Sequence, residues 1–228
     1  MSIVALITGA SGGIGRELCQ RFIQHGCVTI AVSRNPPMLA ADANYHPLKL
    51  DITGVDAGKA MAEAAAKWED AHFRILIHNA GLLSRKDFVA LSDFELEQMT
   101  AVNFLAPLKI TRDLVPWLQG GDCAHIIYVG SMAGFQGSRK YPGLAAYTAL
   151  KSAGTGLMEG LAAEFKGSSL HFNTLALGAV QTEMLQQAFP EEKGLSPAEM
   201  ADFICYFALN GWKFFNGKTL PVSQEDPF

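Results

Sequence analysis

This chain of 228 residues lacks most of the signatures that narrow a function quickly. Cysteine is scarce: Cys19, Cys27, Cys123 and Cys205 lie far apart, with no Cys-x-x-Cys pair and no nearby histidine pair, which argues for reduced thiols and against a zinc knot or redox dithiol. The six histidines are dispersed and His-Glu-x-x-His is absent, so no metal is expected. Lysine and arginine form no block and the formal net charge is −4, leaving no electrostatic footprint for nucleic acid or an anionic membrane. No apolar run approaches the ~20 residues of a spanning helix. The first β-like run starts at Ile3, which leaves no space for a basic, apolar and cleavable leader. A soluble cytoplasmic protein is the expectation. Internal repeats and low-complexity segments are also missing. So is the serine-hydrolase elbow Gly-x-Ser-x-Gly, because Val129 and Ala133 flank Ser131 where glycines would be needed.

Apolar residues, by contrast, make up 49% of the chain, enough to bury a sizeable core, and a chain of this length is expected to form one domain over residues 1–228. Short β-rich runs alternate with helical periodicity. Strands are predicted at Ile3–Thr8, Val28–Ser33, Pro47–Leu50, Arg74–His78, Ala124–Val129, Leu170–Ala176 and Thr219–Val222. Helices are predicted near Gly15–His25, Asp56–Trp68, Asp93–Val102, Leu105–Leu118, Leu144–Phe165 and Pro197–Leu209. The alternation implies an α/β fold with a doubly wound, mostly parallel seven-stranded sheet, Rossmann-like, whose right-handed crossovers bring the carboxyl ends of the strands to one edge. One crossover is stunted: after Arg34-Asn35-Pro36-Pro37 only about a dozen residues precede the next strand, so its helix must be short or irregular.

The first predicted strand runs into Thr8-Gly9-Ala10-Ser11-Gly12-Gly13-Ile14-Gly15. A glycine turn between a strand and a helix start suits a pyrophosphate: Gly9 permits the sharp exit, Gly13 a close backbone approach, and Gly15 tight packing of helix on strand. The spacing is not Gly-x-Gly-x-x-Gly, and a simple turn would look similar. Further along, Tyr147 and Lys151 are one helical turn apart, which stacks a phenol and an ammonium on one face. Such pairs also occur on solvated helices. Held close together, however, the cation favours the phenolate and draws its pKa toward the working range.

Taken jointly, the Thr8–Gly15 segment, Asn79-Ala80-Gly81, Asn103, Ser131 and Tyr147-x-x-x-Lys151 resemble the short-chain dehydrogenase/reductases in order and approximate spacing over nearly the whole chain. The resemblance implies an oxidoreductase that interconverts a small carbonyl compound and its alcohol by hydride transfer. By it Tyr147 is the proton carrier, Lys151 lowers its pKa and holds the nicotinamide ribose, Ser131 orients the carbonyl, and Asn103 holds a water in the proton relay. The cofactor would meet Gly9, Ser11, Gly13, Ile14, Gly15, Asn79, Ala80, Gly81, Tyr147 and Lys151. Gly178, Val180 and Thr182 would form the nicotinamide-facing turn. His78, where the family often has asparagine, reads as a strand-end or core histidine.

NAD is preferred where a carboxylate ends the second strand and accepts from the ribose 2′-hydroxyl; here Ser33-Arg34 stands in its place, which favours NADP(H) through a guanidinium–phosphate pair. An arginine in water is the plainer alternative. Asp51 and Ile52 resemble the family's adenine-edge contact, although an aspartate there also initiates turns.

Two departures from the family stand out. Leu177-Gly178 replaces Pro-Gly, losing proline's rigid φ and loosening the expected ring placement. The interval from Ser131 to Tyr147 is long, with Gly137 to Pro142 and Gly143 as the insertion reshaping the pocket. Phe135, Tyr141, Met184, Leu185 and Phe189 are candidate walls, and a modest lid is expected between Thr182 and Ser196. The long helices Leu105–Leu118 and Leu144–Phe165 resemble family dimer faces, implying a homodimer or homotetramer, although amphipathic helices are more often intramolecular core; the tail from Phe214 to Phe228 is apolar enough to dock on itself or a partner. A noncatalytic NADP(H)-binding sensor or scaffold is the alternative, since a fold alone does not dictate activity.

Overall fold

Successive side chains of a strand face opposite ways, so a strand covered on both faces needs apolar residues at nearly every position. In the computed structural model, which describes residues 2–39 and 42–224, the central strands obey this rule. Val4 and Leu6 of β1 (Ile3–Thr8) enter one core, shared with Leu76, Ile126 and Tyr128, while Ala5 and Ile7 enter the other with Ile75, Ile77 and Ile127. The remaining strands are β2 (Val28–Ser33), β3 (Tyr45–Lys49), β4 (Phe73–His78), β5 (Cys123–Ser131), β6 (Leu170–Leu177) and β7 (Lys218–Val222). They form a single seven-stranded sheet in the order β3-β2-β1-β4-β5-β6-β7, and every pairing is parallel.

Helices α1 (Gly13–Gln24) and α7 (Pro197–Asn210) cover one face; α2 (Ala57–Ala65), α4 (Ala106–Gln119) and α5 (Ala145–Glu164) cover the other. Short α3 (Asp93–Thr100) and α6 (Glu183–Ala188) lie at the carboxyl edge of the sheet. The order reverses between β1 and β4, and that switch point leaves a crevice beyond the strand ends. No helix among the described residues is long and apolar enough to cross a membrane. The last four residues of the apolar tail lie outside the described residues.

Several boundaries differ from the sequence expectation. β5 continues two residues past Val129, because Gly130 and Ser131 keep pairing with Ala176 and Leu177 of β6. The predicted helices Asp93–Val102 and Leu105–Leu118 are joined by a wide π turn over Ala101–Leu105. The segment after β2 carries no helix among its described residues, as its two prolines implied. Leu177, in proline's usual place, pairs with Val222 inside the sheet, so strand geometry holds its backbone instead.

Two buried histidines tie helices to the sheet. His78 at the end of β4 shares a hydrogen bond with Thr111 of α4 (2.8 Å). His125 of β5 meets the Ala208 carbonyl through Nδ1 (3.0 Å) and Asn173 through Nε2 (3.0 Å). Burial pushes their pKa values down, to about 3 for His78 and about 4 for His125, so both are neutral imidazoles. Unfolded histidine titrates near ~6.5, so the unfolded chain binds more protons as pH drops below that value and stability declines with it. Denaturant unfolding at about pH 7.5 and about pH 5 should therefore show a loss of about 2 kcal/mol per buried histidine at the lower pH. Equal stability at the two values would mean that neither imidazole is held neutral.

Candidate active site

The turn from β1 into α1 is built on glycines at positions where a side chain would be strained or would clash. Gly9 has φ +69° and Gly13 φ +50°. A Cβ on Gly15 would stand 2.1 Å from the Gly9 carbonyl oxygen, so helix and strand approach as closely as backbones can. Thr8 and Asn79 lock this turn to the end of β4. The Thr8 hydroxyl accepts from the backbone N–H groups of Asn79 (3.1 Å) and Ala80 (3.2 Å), and the Asn79 amide donates to the carbonyls of Thr8 (3.1 Å) and Gly9 (3.2 Å). Exposed Ser11 and half-buried Ile14 complete the loop, with Ile14 packed on the core. Thr182, which caps α6, stands over it, 3.1 Å from where a Gly13 Cβ would be. Gly178 and Val180 carry the chain from β6 to that point, Val180 bridging to Leu195.

The ends of β2 and β3 are next in line. Ser33 is buried, and its hydroxyl has no hydrogen-bond partner among the described residues. Arg34 beside it is exposed, and its charge contributes to holding Asp51 below the usual carboxylate range, after the stronger effect of Thr53. Asp51 is committed to a turn: its Oδ1 accepts from the backbone N–H (2.9 Å) and hydroxyl (2.8 Å) of Thr53. Ile52 packs on the core under it. An anion-ready helix start and a cradle without side chains suit the pyrophosphate of a dinucleotide.

The four residues expected to do the chemistry come together at the ends of β4 and β5. A methyl group on Gly81 would lie 3.5 Å from Asn103 Oδ1 and 3.6 Å from both Lys151 Nζ and Met184 Cε. Lys151, buried in α5, donates to the Val129 carbonyl (2.9 Å), with its ammonium 4.9 Å from the ring centre of Tyr128 and 5.7 Å from that of Tyr147. Ser131 interacts through its hydroxyl with the Tyr147 phenol and accepts from Ala133 N–H (3.1 Å).

The electrostatics correct one expectation. Burial pushes the Tyr147 phenol up to about 12, opposed by the bond with Ser131, instead of Lys151 drawing it down. The same burial brings the Lys151 ammonium down to about 8. Both charged forms lose water, and the ammonium is directed at a backbone carbonyl and the ring faces, so desolvation outweighs the attraction. His78 takes no part here, being occupied with Thr111.

Asn103 is held at both ends of its amide: Nδ2 donates to the carbonyls of Leu82 (2.7 Å) and Met99 (3.0 Å), and Oδ1 accepts from Leu82 N–H (3.2 Å). It sits in the π turn, and its own carbonyl accepts from the Tyr128 hydroxyl (2.8 Å). Motif reading missed Tyr128. The available signal was Pro107, four residues after Asn103, which has no N–H to give that carbonyl. The 137–143 segment folds back on the turn after Ser131: Lys140 Nζ donates to the carbonyls of Ala133 (2.7 Å) and Phe135 (2.6 Å) and to Ser138 Oγ (2.9 Å). Of the proposed walls, Tyr141 and Phe189 meet edge to face at 6.0 Å and Met184 reaches the centre; Phe135 and Leu185 are half-buried.

Comparison with known proteins agrees with this architecture. The short chain dehydrogenase family profile matches residues 3–193. The short chain dehydrogenase adrF of Penicillium roqueforti is 26% identical over 248 residues, spanning 97% of this chain and 96% of the relative. Among solved structures, a 3-ketoacyl-(acyl-carrier-protein) reductase from Brucella melitensis complexed with NADH superposes with a TM-score of 0.84 at 24% identity, covering 96% of both chains. ElxO with NADP bound does so with a TM-score of 0.85 at 22% identity over 97% of both.

Tyr128→Phe tests the support under Asn103. It leaves a buried carbonyl without this donor and should cost about 1–3 kcal/mol in denaturant unfolding. A loss well below that range would mean that the Asn103 carbonyl is satisfied without the phenol.

Proposed function

The chain belongs to the short-chain dehydrogenase family, and from that membership we propose that it is an NADP(H)-dependent oxidoreductase that interconverts a small carbonyl compound and its alcohol. The observation that carries this reading is the grouping of Asn103 and Lys151 beside Gly81, with Tyr147 next to Lys151 and Ser131 next to Tyr147, at the ends of β4 and β5. The nucleotide supplies or accepts the hydride. Gly9, Ser11, Gly13, Ile14 and Gly15 hold its pyrophosphate, Asn79, Ala80 and Gly81 line its path, and Gly178, Val180 and Thr182 close over it. Asp51 and Ile52 border the adenine. Ser33 and Arg34 select the 2′-phosphate, which supports NADP(H) over NAD(H).

In the reductive direction Tyr147 gives its proton to the oxygen that becomes the alcohol, and Ser131 donates a hydrogen bond to the same oxygen as negative charge develops there. A phenol held up to about 12 keeps that proton at neutral pH, which suits donation. Lys151, with one N–H on Val129, would give another to the nicotinamide ribose. Asn103 holds the backbone at Leu82, and the proposal also gives it the water of the proton relay. A homo-oligomer built on α4 and α5 and a cytoplasmic location belong to the same proposal.

Replacing Tyr147 with Phe removes only the proton carrier. Turnover of a panel of small ketones and aldehydes should fall by at least about a hundredfold while NADPH affinity holds, read by nicotinamide absorbance and fluorescence titration. Comparable turnover in the variant would remove Tyr147 from the chemistry, and no turnover in either protein with tight NADPH binding would favour the sensor reading.

Arg34→Asp exchanges a partner of phosphate for a partner of hydroxyl. The ratio of kcat/KM with NADPH to that with NADH should fall by at least about tenfold, because a charge-assisted contact is lost and a repulsion gained. An unchanged ratio would leave Arg34 in solvent.

A further inference from the structure

Arg85 is not a motif position, yet it stands at the mouth of the site. Its Nη1 donates to the Ala188 carbonyl at the end of α6 (2.7 Å), and its guanidinium lies 4.1 Å over the Phe189 ring. From the other side Gly143 of the 137–143 segment closes on it, a Cβ there coming 3.1 Å from Arg85 Cγ. Two cavities meet at this side chain. One of about 480 Å³ lies toward Pro142 and Gln187. The other, about 90 Å³, lies toward Leu83 and Met184. Met184 connects the second cavity to the chemistry, because its methyl approaches the same point over Gly81 as Lys151 Nζ and Asn103 Oδ1.

The neighbouring cations are already engaged. Lys86 is paired with Glu95 (2.7 Å), and Lys140 is bound to Ala133, Phe135 and Ser138. Arg139 lies 5.4 Å over the Tyr141 ring, and Asp87 is the acid lining the larger cavity. Arg85 has five N–H donors in a rigid fork, of which the bond to Ala188 uses one; contact with the Phe189 ring holds the guanidinium and leaves the other donors to a ligand. A guanidinium with donors to spare next to an open cavity matches the planar, two-oxygen geometry of a carboxylate.

We propose that Arg85 is the substrate-recognition residue of this site, and that the substrates are carbonyl compounds bearing a carboxylate, with the acid on Arg85 and the carbonyl toward Tyr147. The proposal rests on the oxidoreductase reading and names its substrate class.

Pyruvate, acetoacetate and levulinate, each beside its methyl ester, vary the spacing between acid and carbonyl at nearly constant shape. In the wild-type protein at least one acid should exceed its ester in kcat/KM by about tenfold or more. Arg85→Gln should reduce that acid-to-ester ratio by about tenfold, mostly through KM, and Arg85→Lys should retain part of it. Melting temperatures with and without NADPH give a readout that needs no turnover: the preferred acid, and not its ester, should raise the wild-type Tm, and Arg85→Gln should abolish the rise. Acid and ester falling together in Arg85→Gln would make Arg85 a strut for α6 and overturn the proposal. So would a wild type that neither prefers nor is stabilised by any acid. Acid-specific, Arg85-dependent stabilisation without turnover would uphold the anion site while defeating the oxidoreductase reading.

Discussion

A lysine ammonium taken out of water is the constraint around which the carboxyl edge of this sheet is arranged. Stripping a cation of solvent costs several kcal/mol unless other dipoles replace the water. For Lys151 the replacements are the Val129 carbonyl and the faces of Tyr128 and Tyr147. They compensate only in part, which is why the ammonium is brought down to about 8. Seating it requires α5 to press against the end of β5, and two glycines make that possible. A Cβ on Gly134 would meet Lys151 Cβ at 2.7 Å, and one on Gly154 would meet the Tyr128 ring at 2.3 Å. The dry environment that penalises the ammonium also keeps the Tyr147 phenol protonated. One act of burial thus determines both halves of the pair.

That arrangement survives only if the strands bringing it together do not slip. Parallel pairing from β3 to β7 fixes the register, and buried polar groups fasten the outer helices to it. Asn173 of β6 donates to His125 and to the Phe215 carbonyl and accepts from Lys218 N–H (3.1 Å), joining β5, β6 and β7 to α7 through His125 and Ala208. On the other face Arg74 is buried over Trp117 (4.7 Å), and its guanidinium donates to the carbonyls of Ala71 and Glu69. Directional contacts of this kind specify one packing out of many hydrophobic ones.

At the site the same economy of partners separates positioning groups from available ones. Asn79, Asn103 and Lys140 each spend most of their donors on backbone carbonyls, so they shape loops. Ser33 and Arg34 are left with capacity to spare at the end of β2. A ligand is read by groups that the fold does not itself consume, and here those groups lie at the ends of strands and on the loops that follow them.

The sequence by itself determined the class of fold, the order of elements and the glycine turn, because covered strands need continuous apolar runs and Gly9 and Gly13 need a left-handed backbone. It also placed β1 and β2 to the residue. Tertiary structure decided what local pattern cannot encode. β5 runs on to Ser131 because β6 offers partners that far, and the partner of the Asn103 carbonyl in the π turn is the Tyr128 hydroxyl, 25 residues away in the chain. Four-residue spacing put Tyr147 and Lys151 on one face, but the direction in which each titrates was settled by how much water the surrounding layers exclude. Desolvation is a property of everything packed around a group, and no run of neighbours in the chain contains it.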